Sequence, residues 1–422
     1  MKDESLKSKK IIFCFPYRGG PGGVSMLFLR LADYLKKNGC DTAIIDYPDG
    51  EMSNNKHPSL QLIEYCNDKK LFLPEKSIIV FQSMTPWSIF RNIVIPRNTK
   101  LLFITTLPNN LFPLMPGKLR NLMSNGRIFA KFFWKSILIL EYYKIKRFIK
   151  IADERNGIVF LDKNIVSNVE KSLNLKIKKP KLLPLPGEQI SENLFLKKSS
   201  NISAIKIGWV GRISDFKIHI LNNVIKDAFH YSNKNKQKII FNILGDGDCK
   251  ELLQRYSSDY FCMEYVNYIK PNQLSNHLIN VDLIFAMGTA ALDAARIGVP
   301  TVRLDYSFSK VTKNYLYKML YEVNNLSLGE NIHGDSYQNG KHTFDDLIEL
   351  IKKSRTSLST KCYDYFVRNH SIENNSIIFN DYLTNSNLQW EDLIDEKVLE
   401  SSLYRLWKNI NYIFQKVNSL NR

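Results

Sequence analysis

The segment 207–217 reads IGWVGRISDFK. Apolar, β-branched and aromatic residues from Ile205 to Val210 form a strand candidate that stops at Gly211. Arg212 and Lys217 follow at once, with Asp215 between them. Cations just beyond the carboxyl end of a parallel strand stand where open α/β sheets bind ligands. Arginine grips two phosphate oxygens in a fork and lysine adds a point charge, so the pair suits a diphosphate. The same residues also fit a solvated basic loop in which Asp215 neutralises one cation.

The alternation of short apolar runs with longer stretches of helical period continues on both sides. Downstream strand candidates are 238–244, 265–269, 282–285 and 301–304; upstream they are 11–15, 42–46, 77–82, 101–105 and 157–161. This is the pattern of parallel strands with crossover helices. A chain of 422 residues is too long for one core and suits two. Between the halves, Pro184, Pro186 and Gly187 break regular structure, and the Lys-, Ser- and Asn-rich stretch 197–203 reads as an exposed linker. The expectation is an α/β protein of two doubly wound Rossmann-like domains, residues 1–200 and 201–385, facing a central cleft. A tail, 386–422, carries Leu399, Leu403, Leu406, Ile410, Phe414 and Val417 at helical spacing and is expected to pack as a helix.

Lys plus Arg is 59 against 41 for Asp plus Glu, a net charge of +18 that attracts nucleic acid, anionic lipid or phosphorylated ligands. The six cysteines are scattered without a C-x-x-C pair, so they read as reduced and structural. The charged start MKDESLKSKK lacks a signal-peptide apolar core, and no run of about 18 apolar residues occurs. The protein is expected in the cytoplasm, peripheral on the inner membrane face if it docks at all.

Two further stretches place small residues at helix starts. RGGPGGVSMLFLRLADYL, residues 18–35, runs from the strand candidate 11–15 into a helix starting near Val24. Its glycines would allow positive φ and close approach of a phosphate to backbone N–H groups. It matches neither G-x-G-x-x-G nor a Walker loop, so taken by itself it reads first as a tight turn. VDLIFAMGTAALDAARIGVPTV, residues 281–302, takes a strand into a helix through Gly288, Thr289 and Ala290, and the helix stops at Gly298. Phosphate oxygens can reach such a start, and Asp293 can accept hydrogen bonds from a ribose diol or simply compensate the helix dipole.

Residues 118–150 hold nine Lys or Arg against Glu141, with seven aromatics interleaved. Phe129, Phe133, Ile137 and Leu140 share one helical face opposite Lys131 and Lys135, the composition of an interfacial helix or of a core helix with a basic edge. Aromatics among cations also suit single-stranded nucleic acid, but no RNA-binding motif appears and no nucleic-acid partner is expected.

The order GGPGGVSMLFLRLADYL, GWVGRISDFK, FNILGDGDCKELL, FAMGTAALDAARIGVPTV resembles the GT-B glycosyltransferases of the large retaining family often numbered four, over most of residues 10–305. The resemblance implies a GT-B architecture: an N-terminal acceptor domain, a C-terminal donor domain and a C-terminal helix packing back. It implies transfer of a sugar, with retention, from a nucleoside diphosphate sugar to a glycan or lipid-linked hydroxyl, as in capsule or O-antigen assembly. It places Arg212 and Lys217 as the catalytic cations on the diphosphate. Gly22, Gly23, Gly211, Gly245, Gly288, Thr289 and Ala290 then face the donor, with Asp293 on the ribose and Tyr268 by the base. Arg18, Gly19, Gly20, Thr106 and Asn109 fall on the acceptor side. No metal and no cofactor beyond the nucleotide-sugar co-substrate is implied. The chain departs from the family in three places: Asp293 stands for the usual Glu, FAMGTAA lacks an earlier Glu, and LLFITTLPNNLF lacks a His. The alternatives are a heptosyl or polyol-phosphate transferase, or a nucleic-acid-binding protein on a degenerate scaffold.

Overall fold

Continuous apolar runs suit strands that are covered on both faces. The computed structural model describes residues 4–19, 22–90, 92–112, 138–188, 204–267, 273–311, 315–334 and 337–401. It divides into two units, Pro184–Asn375 and the discontinuous Met1–Leu183 with Ser376–Arg422. The first crossing thus falls at the Pro184 to Gly187 breaker rather than at residue 200. The return falls inside the helix Ile372–Asn385 rather than at 386.

In the first unit the strands are β1 (Lys10–Cys14), β2 (Asp41–Asp46), β3 (Gln61–Glu64), β4 (Leu71–Phe72), β5 (Ser77–Gln82), β6 (Ile93–Val94), β7 (Lys100–Thr105) and β8 (Ile158–Phe160). Six form a parallel sheet in the order β3-β2-β1-β5-β7-β8, and β4 pairs with β6. Ile11, Ile12, Phe13 and Cys14 of β1 are fully buried, as a central strand requires. The segment 386–401 completes this unit: Leu101 N donates to Leu388 O at 2.8 Å, Trp390 N to Thr99 O at 3.0 Å, and Leu388, Leu393 and Val398 enter the core. Within it, Trp390–Asp395 is helical and Leu399 lies past that helix. The other five tail positions lie outside the described residues.

The second unit carries β9 (Ile205–Val210), β10 (Ile239–Leu244), β11 (Phe261–Val266), β12 (Leu283–Ala286), β13 (Thr301–Arg303) and β14 (Lys318–Met319). Their order is β11-β10-β9-β12-β13-β14, parallel except for β13 with β14. The strand expected at 265–269 sits at Phe261–Val266 instead. It is an edge strand in which only Phe261 is buried, so it lacks the apolar run that marks inner strands.

Of the basic segment, residues 118–137 lie outside the described residues, including Phe129, Lys131, Phe133, Lys135 and Ile137. The rest belongs to the helix Ile139–Glu154, which buries Tyr142, Ile145, Phe148 and Ile149 against the first unit's core and keeps a basic outer edge. No helix among the described residues is long and apolar enough to cross a membrane.

Candidate active site

The loops after β9 and β10 lie backbone to backbone. Gly211 N donates to Leu244 O at 3.1 Å, Ile213 N to Asp246 O at 3.0 Å, and Cys249 N to Ile213 O at 3.1 Å. Parallel pairing thus outlasts the strands and fixes where Arg212 and Lys217 emerge. A β-carbon on Gly245, which has φ +146°, would lie 2.1 Å from Gly211 O, and one on Gly247 would lie 2.2 Å from Ile213 O. The G-D-G sequence is therefore demanded by the neighbouring loop. Gly245→Ala is expected to destabilise the second unit by about 2 kcal/mol or more, lowering its melting temperature by roughly 4–8 °C. Gly23→Ala, with nothing within 4 Å of its β-carbon, is expected to leave melting unchanged or raise it. Calorimetry on both variants checks the contrast.

Lys217 stands in the first turn of the helix Asp215–Asn235, whose N-cap is Ser214. A cation there opposes the helix dipole. Its side chain is partly buried, with Nζ 5.5 Å from the Phe216 ring centre and beside the open face of Gly211. Burial, reinforced by the charge of Arg212, brings its pKa down to about 8. No carboxylate pairs with Lys217 among the described residues, and the buried Ser214 Oγ is without a hydrogen-bond partner there. Asp215, which in the alternative basic-loop reading neutralises a cation, accepts from Phe216 N at 2.8 Å instead. Arg212 meets Asp248 at 2.7 Å, with side chains 62% and 81% exposed. Such an exposed pair is worth at most about 1 kcal/mol and yields readily to a polyanion.

The helix Thr289–Ala295 starts from Gly288, whose φ of +63° and ψ of −140° only glycine adopts comfortably; no side chain caps this start, and nothing lies within 4 Å of where a β-carbon would be. Thr289 and Ala290 form its first turn. Asp293 is largely buried and lies 3.3 Å from Arg296 Nε, so a ribose there would exchange with or share that partner.

Sequence reasoning missed the cluster behind this helix. Arg303 is fully buried at the end of β13, with Nη2 2.6 Å from Asp305 Oδ1 and Nη1 2.8 Å from Glu330 Oε1. Tyr337 Oη donates to Asp305 Oδ2 at 3.1 Å, and Glu330 N to Asp305 Oδ1 at 2.9 Å. The cluster pins the stretch 325–334, from which Leu328 O accepts from Gly288 N at 2.8 Å. An Arg and an Asp flanking Leu304, at and just past the end of an apolar strand, were the available signal.

In the first unit the glycine loop follows β1 and leads into the helix Gly23–Lys37. Positive φ is not what its described glycines supply: Gly22 is extended at φ −129°, Gly23 is the first helical residue, and neither they nor Gly19 is left-handed. A β-carbon on Gly19 would lie 2.1 Å from the Tyr17 hydroxyl, the far end of an exposed side chain that can swing aside. Arg18 Nε donates to Asp49 Oδ1 at 2.8 Å, a bond that lowers the Asp49 pKa, and its guanidinium lies 3.9 Å from the Tyr47 ring centre. The buried Asp46, also missed, ties the loops after β1 and β2 by accepting from Tyr17 N and Met52 N at 2.8 Å each. Thr106 Oγ1 accepts from Gln82 and donates to Asn110, whereas Asn109 is exposed. Gly20 and Tyr268 lie outside the described residues. No group of three or more His, Cys, Asp or Glu side chains is arranged to hold a metal among the described residues.

Neither a protein-family model nor a curated protein matches the sequence. Solved structures do. A glycosyltransferase from Rickettsia africae ESF-5 superposes with a TM-score of 0.52 at 12% identity, covering 90% of this chain and 99% of that one. TarM gives 0.53 at 9% identity over 91% and 100% of the two chains. A trehalose-6-phosphate structure from E. coli bound with UDP-2-fluoro glucose gives 0.52 at 10% identity over 90% and 100%. The fold is GT-B. At such identities the likeness is one of fold, and on this GT-B scaffold the cations Arg212 and Lys217 and the Gly288 helix start all lie at the carboxyl ends of second-unit strands.

Proposed function

We propose that the chain is a retaining glycosyltransferase that moves a sugar from a nucleoside diphosphate to a hydroxyl of a glycan or lipid-linked acceptor, in building a bacterial surface polysaccharide. The observation that carries the reading is Lys217: a desolvated ammonium in a helix's first turn, without a carboxylate partner among the described residues, beside an arginine held only by an exposed aspartate. Such a place is unfavourable until an anion fills it. When the anomeric carbon–oxygen bond breaks, charge develops on the departing diphosphate. Lys217, Arg212 and the first-turn N–H groups at Thr289 and Ala290 would neutralise it. The acceptor oxygen bonds the anomeric carbon on the same face, and its proton passes to a departing phosphate oxygen. Asp293 would hold the ribose, Tyr268 the base, and Arg18, Asn109 and Thr106 the acceptor. The UDP-sugar carried by the E. coli structure supports the donor class. A lipid-linked acceptor puts the enzyme at the inner membrane face, in keeping with the net charge of +18.

Thermal shift against a panel of nucleoside diphosphates tests this. One base is expected to raise the melting temperature while oligonucleotides do not; at about 100 times its Kd a ligand stabilises by about 2.7 kcal/mol. Stabilisation by oligonucleotides and by no nucleoside diphosphate would sink the proposal.

A further inference from the structure

The first unit carries a half-open groove of about 530 Å³ between the helix Ile139–Glu154 and the turn after the helix Lys163–Leu173. Its wall is apolar where Ile149, Leu175 and Ile177 meet. Its rim is basic: Lys146, Lys150, Lys176 and Lys178 line it, and no carboxylate pairs with any of the four among the described residues. A fifth cation, Arg147, is held by Glu396. Of the two carboxylates among the described residues of the lining, Asp153 accepts from Lys178 N at 3.1 Å and so serves the turn, and Glu154 is exposed. At the start of the same helix Ile139, Leu140 and Tyr143 are 45%, 64% and 61% exposed, three large side chains that a water-facing helix has no reason to carry together.

Lysines without a carboxylate partner among the described residues, set around an apolar wall next to exposed aliphatic side chains, complement one chemistry: an anionic headgroup with an acyl boundary beside it. Single-stranded nucleic acid would use stacked aromatics, and Tyr143 is the lone aromatic among the described residues of the groove's lining. We propose that this groove binds the phosphates of anionic phospholipids, docking the helix Ile139–Glu154 on the bilayer with Leu140 and Tyr143 at the headgroup level. The inference deepens the membrane half of the function proposed above and is independent of the donor site.

The test is co-sedimentation of the full chain with phosphatidylcholine vesicles with and without phosphatidylglycerol, at low and high salt. Binding is expected with phosphatidylglycerol only, and is expected to weaken with salt. At about fivefold per lysine, the double variant K146Q/K150Q is expected to bind roughly 25-fold more weakly, as is K176Q/K178Q. The exposed pair K69Q/K70Q on the same unit should change little. Leu140→Ser should weaken binding at every salt concentration. Thermal shift by the nucleoside diphosphate should survive in all variants, which separates loss of docking from loss of the fold or of the donor reading. Equal binding to neutral vesicles, undiminished binding by both groove variants, or groove-dependent capture of an oligonucleotide in place of vesicles would each overturn the proposal.

Discussion

Lys217→Met is expected to abolish detectable nucleoside diphosphate binding and, at pH 7, to make the ligand-free protein more stable than wild type. Both effects have one cause. Burial and Arg212 lower the Lys217 pKa to about 8, whereas an unfolded lysine titrates near 10.5. The unfolded chain therefore binds more protons between about pH 8 and 10.5, and the stability of the ligand-free protein rises with pH across that window. Below pH 8 the lysine is charged in both states and its full desolvation cost weighs on the fold. Methionine removes that cost and with it the charge a diphosphate requires, the usual exchange of stability against function at a binding site. Binding to wild type should be strongest below about pH 8 and fall above it as the free enzyme's ammonium deprotonates. Once donor and acceptor are in hand, Arg212→Ala should slow transfer by about 10²-fold or more, on the scale of losing one charge-stabilising donor. Calorimetric titration at pH 7 and pH 9, with melting of the ligand-free proteins at both, reads all of this except the rate. Unaltered nucleotide affinity in Lys217→Met would defeat the site assignment.

Arg303→Met is expected to cost about 3–5 kcal/mol, the larger effect on folding. The guanidinium is fully buried between Asp305 and Glu330, and its removal leaves two carboxylates facing each other without a counter-charge. Burial, with the charge of Glu330 adding to it, raises the Asp305 pKa even with Arg303 present, so its ionised form is already held at a cost. Arg303→Met with Asp305→Asn and Glu330→Gln should recover part of the loss, because no buried charge then lacks a partner. The single variant should also weaken nucleotide binding: the stretch 325–334 that Arg303 anchors supplies Leu328 O, the acceptor for Gly288 N at the helix start. Denaturant unfolding of the single and triple variants separates charge from packing. A loss below about 1 kcal/mol in the single variant would mean the cluster is not what holds that stretch.

Local pattern made the frame legible. β5 and β9 coincide with their apolar runs, and the inner strands β1, β7, β10 and β12 deviate by a residue or so, because a strand covered on both faces must be apolar throughout. Edge strands escape that rule: β3 and β11 each leave most of their side chains partly in water, and the first was missed while the second was displaced. The cations Arg212 and Lys217 could be named from their position after a strand, but the burial of Lys217, with Nζ near the Phe216 ring and Gly211, belongs to the folded loop and not to local sequence. Gly245 was read as facing the donor, yet its close neighbour is Gly211 O. Arg303 and Glu330 are far apart in sequence, and Asp46 binds a loop 29 residues away. Such pairings depend on the finished topology, and no local periodicity announces them.

The return of residues 376–401 to the first unit bears on the order in which the molecule can be made. The second unit is one uninterrupted stretch and is complete when Asn375 has left the ribosome. The first unit begins earlier but waits: β7 lacks the partner for Leu101 N, and the core lacks Leu388, Leu393 and Val398, until residues 386–401 emerge. The half synthesised first thus closes last. A ribosome-bound chain whose residues up to 375 have left the exit tunnel while 386–401 are still inside it would carry a finished second unit and an open-sided first one, a species that limited proteolysis should cleave in the first unit and spare in the second.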